Sequence, residues 1–204
     1  MFFLELENLT LPSTLVTIER CAFCNCSNLK TVDFTRCKNL KEIGERAFWY
    51  CEKLEEVDFS ISTQLKRIGD KTFSYCKKLQ NIVLPDSVTF IGQKAFVSCK
   101  ALRLVVLPAS LEKLEDEVFY FCDLDNLDMS KVTHLITIPK GFGCTKTMMI
   151  PQGVTTIAES GFNNMSHVSS CHHEKLFLPS TLESYGKGNR IWNAIYLYAP
   201  RILQ

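Results

Sequence analysis

The stretch Leu84-Pro85-Asp86-Ser87-Val88-Thr89-Phe90-Ile91-Gly92-Gln93-Lys94-Ala95-Phe96-Val97-Ser98-Cys99-Lys100-Ala101-Leu102-Arg103-Leu104-Val105-Val106-Leu107-Pro108 holds one full repeat and decides the fold. Its pattern is carried by Val88, Ile91, Ala95-Phe96, Cys99, Leu102, Val105 and Leu107-Pro108. The preceding copy reads Leu65, Ile68, Thr72-Phe73, Cys76, Leu79, Ile82 and Leu84-Pro85. The phenylalanine recurs at Phe23, Phe48, Phe73, Phe96, Phe119, Phe142 and Phe162, at spacings of 25, 25, 23, 23, 23 and 20. A period in this range marks a solenoid, whose repeats cannot bury their apolar faces alone and must stack.

Within one repeat, Leu79 to Leu84 alternates with period two at Ile82 and Leu84, which predicts a strand of three or four residues. Pro85 ends it, because proline cannot donate to a ladder. Asp86-Ser87 makes the turn, and Val88 and Ile91 point inward at helical spacing. Gln93 to Cys99 reads as a single helical turn. Successive strands are expected to stack as a parallel sheet, with the coil supplying each crossover. The longer repeats carry two extra residues in one loop: Phe34 to Leu40 and Phe59 to Leu65 span six positions where Leu84 to Val88 spans four. This register places strand cores at Leu9/Leu11, Val32/Phe34, Val57/Phe59, Ile82/Leu84, Val105/Leu107, Leu127/Met129, Met148/Ile150, Leu176/Leu178 and Ile195/Leu197. The expectation is an α/β repeat solenoid forming a single domain over residues 1–204, with about nine rungs. It becomes irregular after residue 122 and carries a polar insert at 163–175.

Apolar residues make up 46% of the chain and charged residues 22%, which suits a soluble folded protein. A net charge of +1 gives no electrostatic reason to expect nucleic acid or a membrane surface as partner. No apolar run reaches the roughly 18–20 residues that span a bilayer, so no membrane insertion is expected in this segment. The start, Met1-Phe2-Phe3-Leu4-Glu5, lacks the basic region and cleavage site of a signal peptide. The chain opens almost directly on a repeat, where solenoids normally carry a polar cap. That points to a fragment of a longer protein, or to one whose export signal has been removed.

Ten cysteines look like a disulfide scaffold until they are placed on the repeat. Cys26, Cys51, Cys76, Cys99 and Cys122 share one motif position and are expected to form a ladder of reduced core thiols. Parallel Cβ vectors on stacked rungs give poor disulfide geometry. Cys21, Cys24, Cys37, Cys144 and Cys171 lie outside the ladder, and their pairing is left open.

The string L-P-x-S-V/L-x-x-I-x-x-x-A-F-x-x-C-x-x-L-x-x-V-x-L-P resembles the BspA-type leucine-rich repeat family, also seen in treponemal surface proteins. Pro85-Asp86-Ser87-Val88 with Ala95-Phe96-Val97-Ser98-Cys99 carries the resemblance, as does Pro108-Ala109-Ser110-Leu111 with Val118-Phe119-Tyr120-Phe121-Cys122. Pro12-Ser13-Thr14-Leu15 and Pro179-Ser180-Thr181-Leu182 repeat the turn at the two ends. The resemblance implies a curved right-handed leucine-rich repeat with short parallel strands on its concave face. Short helical turns or irregular segments would form the convex side. It also implies a cell-surface or secreted protein that adheres to host extracellular matrix or other protein ligands, with no shared catalytic residues.

Strand alternation puts one row on the outer, concave face: Asp33, Asp58, Val83, Val106, Asp128, Met149, Phe177 and Tyr196. The neighbouring row runs Thr31, Glu56, Asn81, Leu104, Asn126, Thr147, Lys175 and Ala194. Apolar side chains facing solvent with an aromatic contribution are what partner sites look like. Val83, Leu104, Val106, Asp128, Met149, Phe177 and Tyr196 are therefore the candidate ligand-binding residues, for a protein or alternatively a glycan. A passive spacer within a larger surface protein is the competing expectation. A third is a metal-binding protein using the insert, where His167, Cys171 and His172 have zinc-ligand chemistry. Adjacent His172 and His173 cannot easily share a centre, so a polar loop is the plainer account and no cofactor is expected. Nucleophile-elbow, zincin, phosphate-loop and dinucleotide motifs are missing, and the chain is not expected to be an enzyme.

Overall fold

The computed structural model describes residues 5–143, 145, 147–162, 175–188 and 194–196, with the backbone alone at 147, 175 and 194–196. Each coil carries a strand of three or four residues followed by one of two. They are β1 (Asn8–Thr10) and β2 (Thr17–Ile18), β3 (Thr31–Asp33) and β4 (Glu42–Ile43), then β5 (Glu56–Asp58) and β6 (Arg67–Ile68). Next come β7 (Asn81–Val83) and β8 (Phe90–Ile91), β9 (Leu104–Val106) and β10 (Lys113–Leu114), β11 (Asn126–Asp128) and β12 (Thr137–Ile138). The last are β13 (Thr147–Met149) and β14 (Thr156–Ile157), β15 (Lys175–Leu178) and β16 (Ser184–Tyr185), and β17 (Ala194–Tyr196).

All described pairings are parallel and join one coil to the next, as Glu56–Val57–Asp58 to Asn81–Ile82–Val83 illustrates. The longer strands β1 to β11 form a six-stranded sheet, and the two-residue strands β2 to β10 a five-stranded one. Both sheets end there, and β12-β14-β16 and β13-β15-β17 start separate three-stranded sheets. The break falls where the sequence period degrades after Cys122. The architecture is a parallel β-solenoid in which six coils share continuous ladders.

The expected helical turn is not there: no helix forms among the described residues, and the segment around Phe96 is built from tight turns. Lys94 and Ser98 adopt left-handed φ values of 57° and 61°, which interrupt any helical run. The same pair of positions, two before and two after the repeat phenylalanine, is left-handed at Cys21/Asn25, Arg46/Tyr50, Lys71/Tyr75 and Glu117/Phe121. The hydrogen bonds give the reason. The amides of Ala95, Val97 and Cys99 donate within the coil, to Gly92, Lys94 and Phe96. Those of Lys94, Phe96 and Ser98 donate to Asp116, Val118 and Tyr120 of the next coil. A helix would aim these amides along its own axis, whereas here half of them tie neighbouring coils together.

Phenylalanine stacks fill the interior. Phe23, Phe48, Phe73, Phe96 and Phe119 form a column with centroids 5.3, 5.4, 5.5 and 5.5 Å apart and rings within 16° of parallel. The column turns at Phe142, whose ring meets Phe119 edge-on at 6.0 Å. Phe34 and Phe59 meet at a tilt of 59°, centroids 4.5 Å apart, in the two long repeats, at the position leucine takes in the shorter ones. The expected cysteine ladder is present, with Cys26, Cys51, Cys76, Cys99 and Cys122 all buried.

Candidate functional site

The three-residue strands expose one face as alternation requires. Their central residues, Val32, Val57, Ile82, Val105 and Leu127, are buried, and the flanking side chains point outward. Leu104, Val83 and Val106 are 49%, 46% and 37% exposed on the adjacent strands β7 and β9. Met149, on β13, is 55% exposed, and Phe177, on β15, is half-buried. Tyr196 lies on β17, but there the backbone is one residue out of the expected register: Ile195 pairs with Phe177, and Tyr196 with the buried Leu178. Polar neighbours frame the patch: Leu104 pairs with Asn81 on one side and Asn126 on the other, and Val106 pairs with Asp128.

Asp128 has a local task that the sequence pattern did not suggest. Its Oδ1 accepts the Ser130 amide at 2.8 Å, closing the turn that follows β11. That bond, followed by the Ser130 hydroxyl, holds its carboxyl below the usual aspartate range. Asp58 accepts the Ser60 amide at 2.8 Å, and Asp33 accepts both the Thr35 hydroxyl at 2.6 Å and its amide at 2.9 Å. The row therefore alternates between two turn chemistries. Where the residue two further on is serine or threonine, an aspartate makes the turn. Where it is proline, proline makes the turn, and the outward position carries an apolar side chain at Val83, Val106, Met149 and Phe177 and a threonine at Thr10.

A second surface lies on the tight-turn side of the coil. A cleft of about 410 Å³ is lined there by Trp49, Tyr50, Tyr75, Tyr120 and Phe121 together with Arg46, Lys71, Lys94 and Glu117. Tyr50 and Tyr75 stack with centroids 4.4 Å apart, and Trp49 meets Tyr50 edge-on at the same distance. The signal was in the sequence as Phe48-Trp49-Tyr50, Phe73-Ser74-Tyr75 and Phe119-Tyr120-Phe121. A helical reading of this segment hid it.

The metal candidates His167, Cys171 and His172 lie outside the described residues. Among the described residues, no group of three or more His, Cys, Asp and Glu side chains is placed to hold a metal ion. Burial pushes the thiols of Cys76 and Cys99 well above the ordinary cysteine range, the opposite of what a nucleophile needs. No helix among the described residues is long and apolar enough to cross a membrane.

Comparison with known proteins agrees with this architecture. The chain matches the family model described as a BspA type leucine rich repeat region, in six copies, over residues 2–125 and 66–187. A leucine-rich repeat protein of T. pallidum is similar at 28% identity and a TM-score of 0.60, covering 80% of this chain and 67% of that one. A leucine-rich repeat protein from Bacteroides ovatus shares the fold at 22% identity and a TM-score of 0.63, over 95% of this chain and 56% of that one. The pneumococcal vaccine antigen PcpA does so at 24% identity and 0.63, over 89% and 47%. The chain thus spans between about half and two thirds of the length of these structures. No curated protein matches the sequence significantly.

Proposed function

The chain belongs to the BspA-type leucine-rich repeat family, and from that premise we propose that it is a non-enzymatic recognition module of a cell-surface or secreted protein. It adheres to a protein ligand, such as a component of a host extracellular matrix, through the face of its three-residue strands. The observation that carries this reading is the adjacent exposure of Val83, Leu104 and Val106 between the polar Asn81, Asn126 and Asp128. Burying apolar side chains inside a polar rim is the general anatomy of a protein interface. Three outward β-branched or leucine side chains bring about 1.5–3 kcal/mol each when fully desolvated. Met149 and Phe177 pair with each other and continue the same row on β13 and β15, and the backbone position paired with Phe177 on β17 is Ile195.

The test is a binding screen of the purified chain against matrix proteins, run beside Val106→Asp. The side chain is exposed, so the substitution leaves the thermal midpoint nearly unchanged. It places a charge in the patch next to Asp128 and weakens a captured partner by at least about tenfold, the scale of a lost apolar anchor. A folded wild-type chain that captures nothing, or a partner indifferent to Val106→Asp, would instead make these repeats a spacer.

A further inference from the structure

We propose that the cleft on the tight-turn side is a binding site for an acidic sugar, a uronic-acid unit of a glycan, separate from the strand face. Four observations converge on it.

Aromatic residues occupy backbone positions that ordinarily select against them. Tyr50, Tyr75 and Phe121 sit at φ 59°, 64° and 58°, where bulky side chains are uncommon. The equivalent residue in other coils is Asn25 or Ser98. Placing rings there costs backbone energy, so the rings bring something that asparagine or serine does not. What they build is a wall along the solenoid axis, with Trp49 edge-on to Tyr50 and Tyr50 stacked on Tyr75.

Three of its coils set a cation beside that wall, and the fourth sets Glu117 there. Arg46 is held by Glu45 at 3.2 Å and Lys94 by Glu117 at 3.3 Å. Lys71, between them, has no ion pair among the described residues. The site thus offers one uncommitted positive charge next to two stacked phenol rings. With Arg46 and Lys94 paired to carboxylates, Lys71 leaves the cleft net positive, which disfavours the cationic ligands that aromatic cages otherwise attract.

The backbone here is closed to a peptide main chain. The amides of Lys71, Phe73 and Tyr75 already donate to Gln93, Ala95 and Val97 of the next coil. Strand addition is therefore not available, and recognition falls to ring faces, hydroxyls and charge. The cleft volume of about 410 Å³ is within the range of small-ligand sites. A pyranose has an apolar C–H face to lie on an aromatic ring and hydroxyl edges for the tyrosines. Its carboxylate, when it is a uronate, pairs with Lys71.

Calorimetric titration with tetragalacturonate tests this, beside its methyl ester (same rings, no charge) and a tetraglutamate peptide (same charge, no rings). The acid is expected to bind, and the ester and the peptide to bind at least about tenfold more weakly, the scale of one charge-assisted hydrogen bond. Tyr75→Asn suits the left-handed backbone and removes the ring, so it abolishes binding in a folded protein. Lys71→Gln lowers affinity for the acid about tenfold and leaves the ester unaffected. Val106→Asp, on the strand face, changes nothing here, which separates this site from the proposed protein-binding surface. No binding of tetragalacturonate, equal binding of tetraglutamate, equal binding of the ester, or normal binding by Tyr75→Asn would each overturn the proposal.

Discussion

Cys76 donates its thiol to the Phe48 carbonyl of the preceding coil at 3.3 Å, and Cys51, Cys99 and Cys122 do the same to Phe23, Phe73 and Phe96 at 3.3, 3.2 and 3.0 Å. Each of these carbonyls also accepts an amide from the cysteine of its own coil. A thiol is small and apolar enough for the core yet retains a weak donor, which alanine would lack. Iodoacetamide on the native protein is therefore expected to label the half-buried Cys21 and Cys24 and to spare Cys51, Cys76, Cys99 and Cys122 until denaturant is added. Mass spectrometry after digestion reads the result, and native labelling of Cys76 at the denatured rate would contradict it. The thiols also make stability depend on pH in one direction. Burial raises their folded-state pKa, so above about pH 8.5 the unfolded chain releases protons that the folded chain keeps. Their contribution is intact below that pH and declines as pH rises past it. The position of this ladder was legible in the sequence because motif spacing alone places it. Its hydrogen bonds were not legible, since a carbonyl acceptor leaves no mark in residue type.

The longer strands were the legible elements, because period-two alternation specifies their face and, as at Pro85 and Pro108, proline marks their end. The two-residue strands such as Phe90–Ile91 were not, since Val88 and Ile91 read as helical spacing. Nor were the tight-turn segments. Ala95, Phe96 and Cys99 have spacings that fit a helical turn, and what excludes one is left-handed backbone at residues as ordinary as Lys94 and Ser98. A clue lay in Ile-Gly at Ile43-Gly44, Ile68-Gly69 and Ile91-Gly92. A Cβ on Gly69 would stand 2.7 Å from the Glu45 nitrogen and 2.8 Å from the Gly44 carbonyl carbon, both backbone atoms of the coil below. These glycines let coils approach closely where a two-residue strand passes into its turn. Gly69→Ala is expected to destabilise the protein by roughly 1–3 kcal/mol, as overpacking against backbone does, and urea denaturation would measure it. A neutral result would mean the coils can separate locally at little cost. The aspartate turns are the other illegible feature. Asp128, a candidate binding residue, shares its row with Asp33 and Asp58, and all three carboxylates shape the chain after their strands.

At the scale of the whole molecule, the solenoid is held by columns that cross every coil boundary. Phe96 touches Phe73 and Phe119 at 5.5 Å each, so its loss is felt in both directions. Phe96→Ala is expected to cost about 3–5 kcal/mol and to loosen adjacent coils as well as its own, because each repeat is stable only through its neighbours. Hydrogen exchange across β5 to β11 would show that spread, and a change confined to one coil would argue against it. The outward face was readable from strand alternation, since the exposure of Val83, Leu104 and Val106 follows from the burial of Ile82 and Val105. The aromatic cleft left its residues in the sequence but not its shape, because it is assembled from four coils and forms only when they stack. The most direct measurement is the affinity of a captured matrix protein for the wild-type chain and for Val106→Asp, with Tyr75→Asn as the comparison. The expected result is at least about a tenfold loss with Val106→Asp alone and none with Tyr75→Asn. Equal affinity across all three folded proteins would contradict recognition through the strand face.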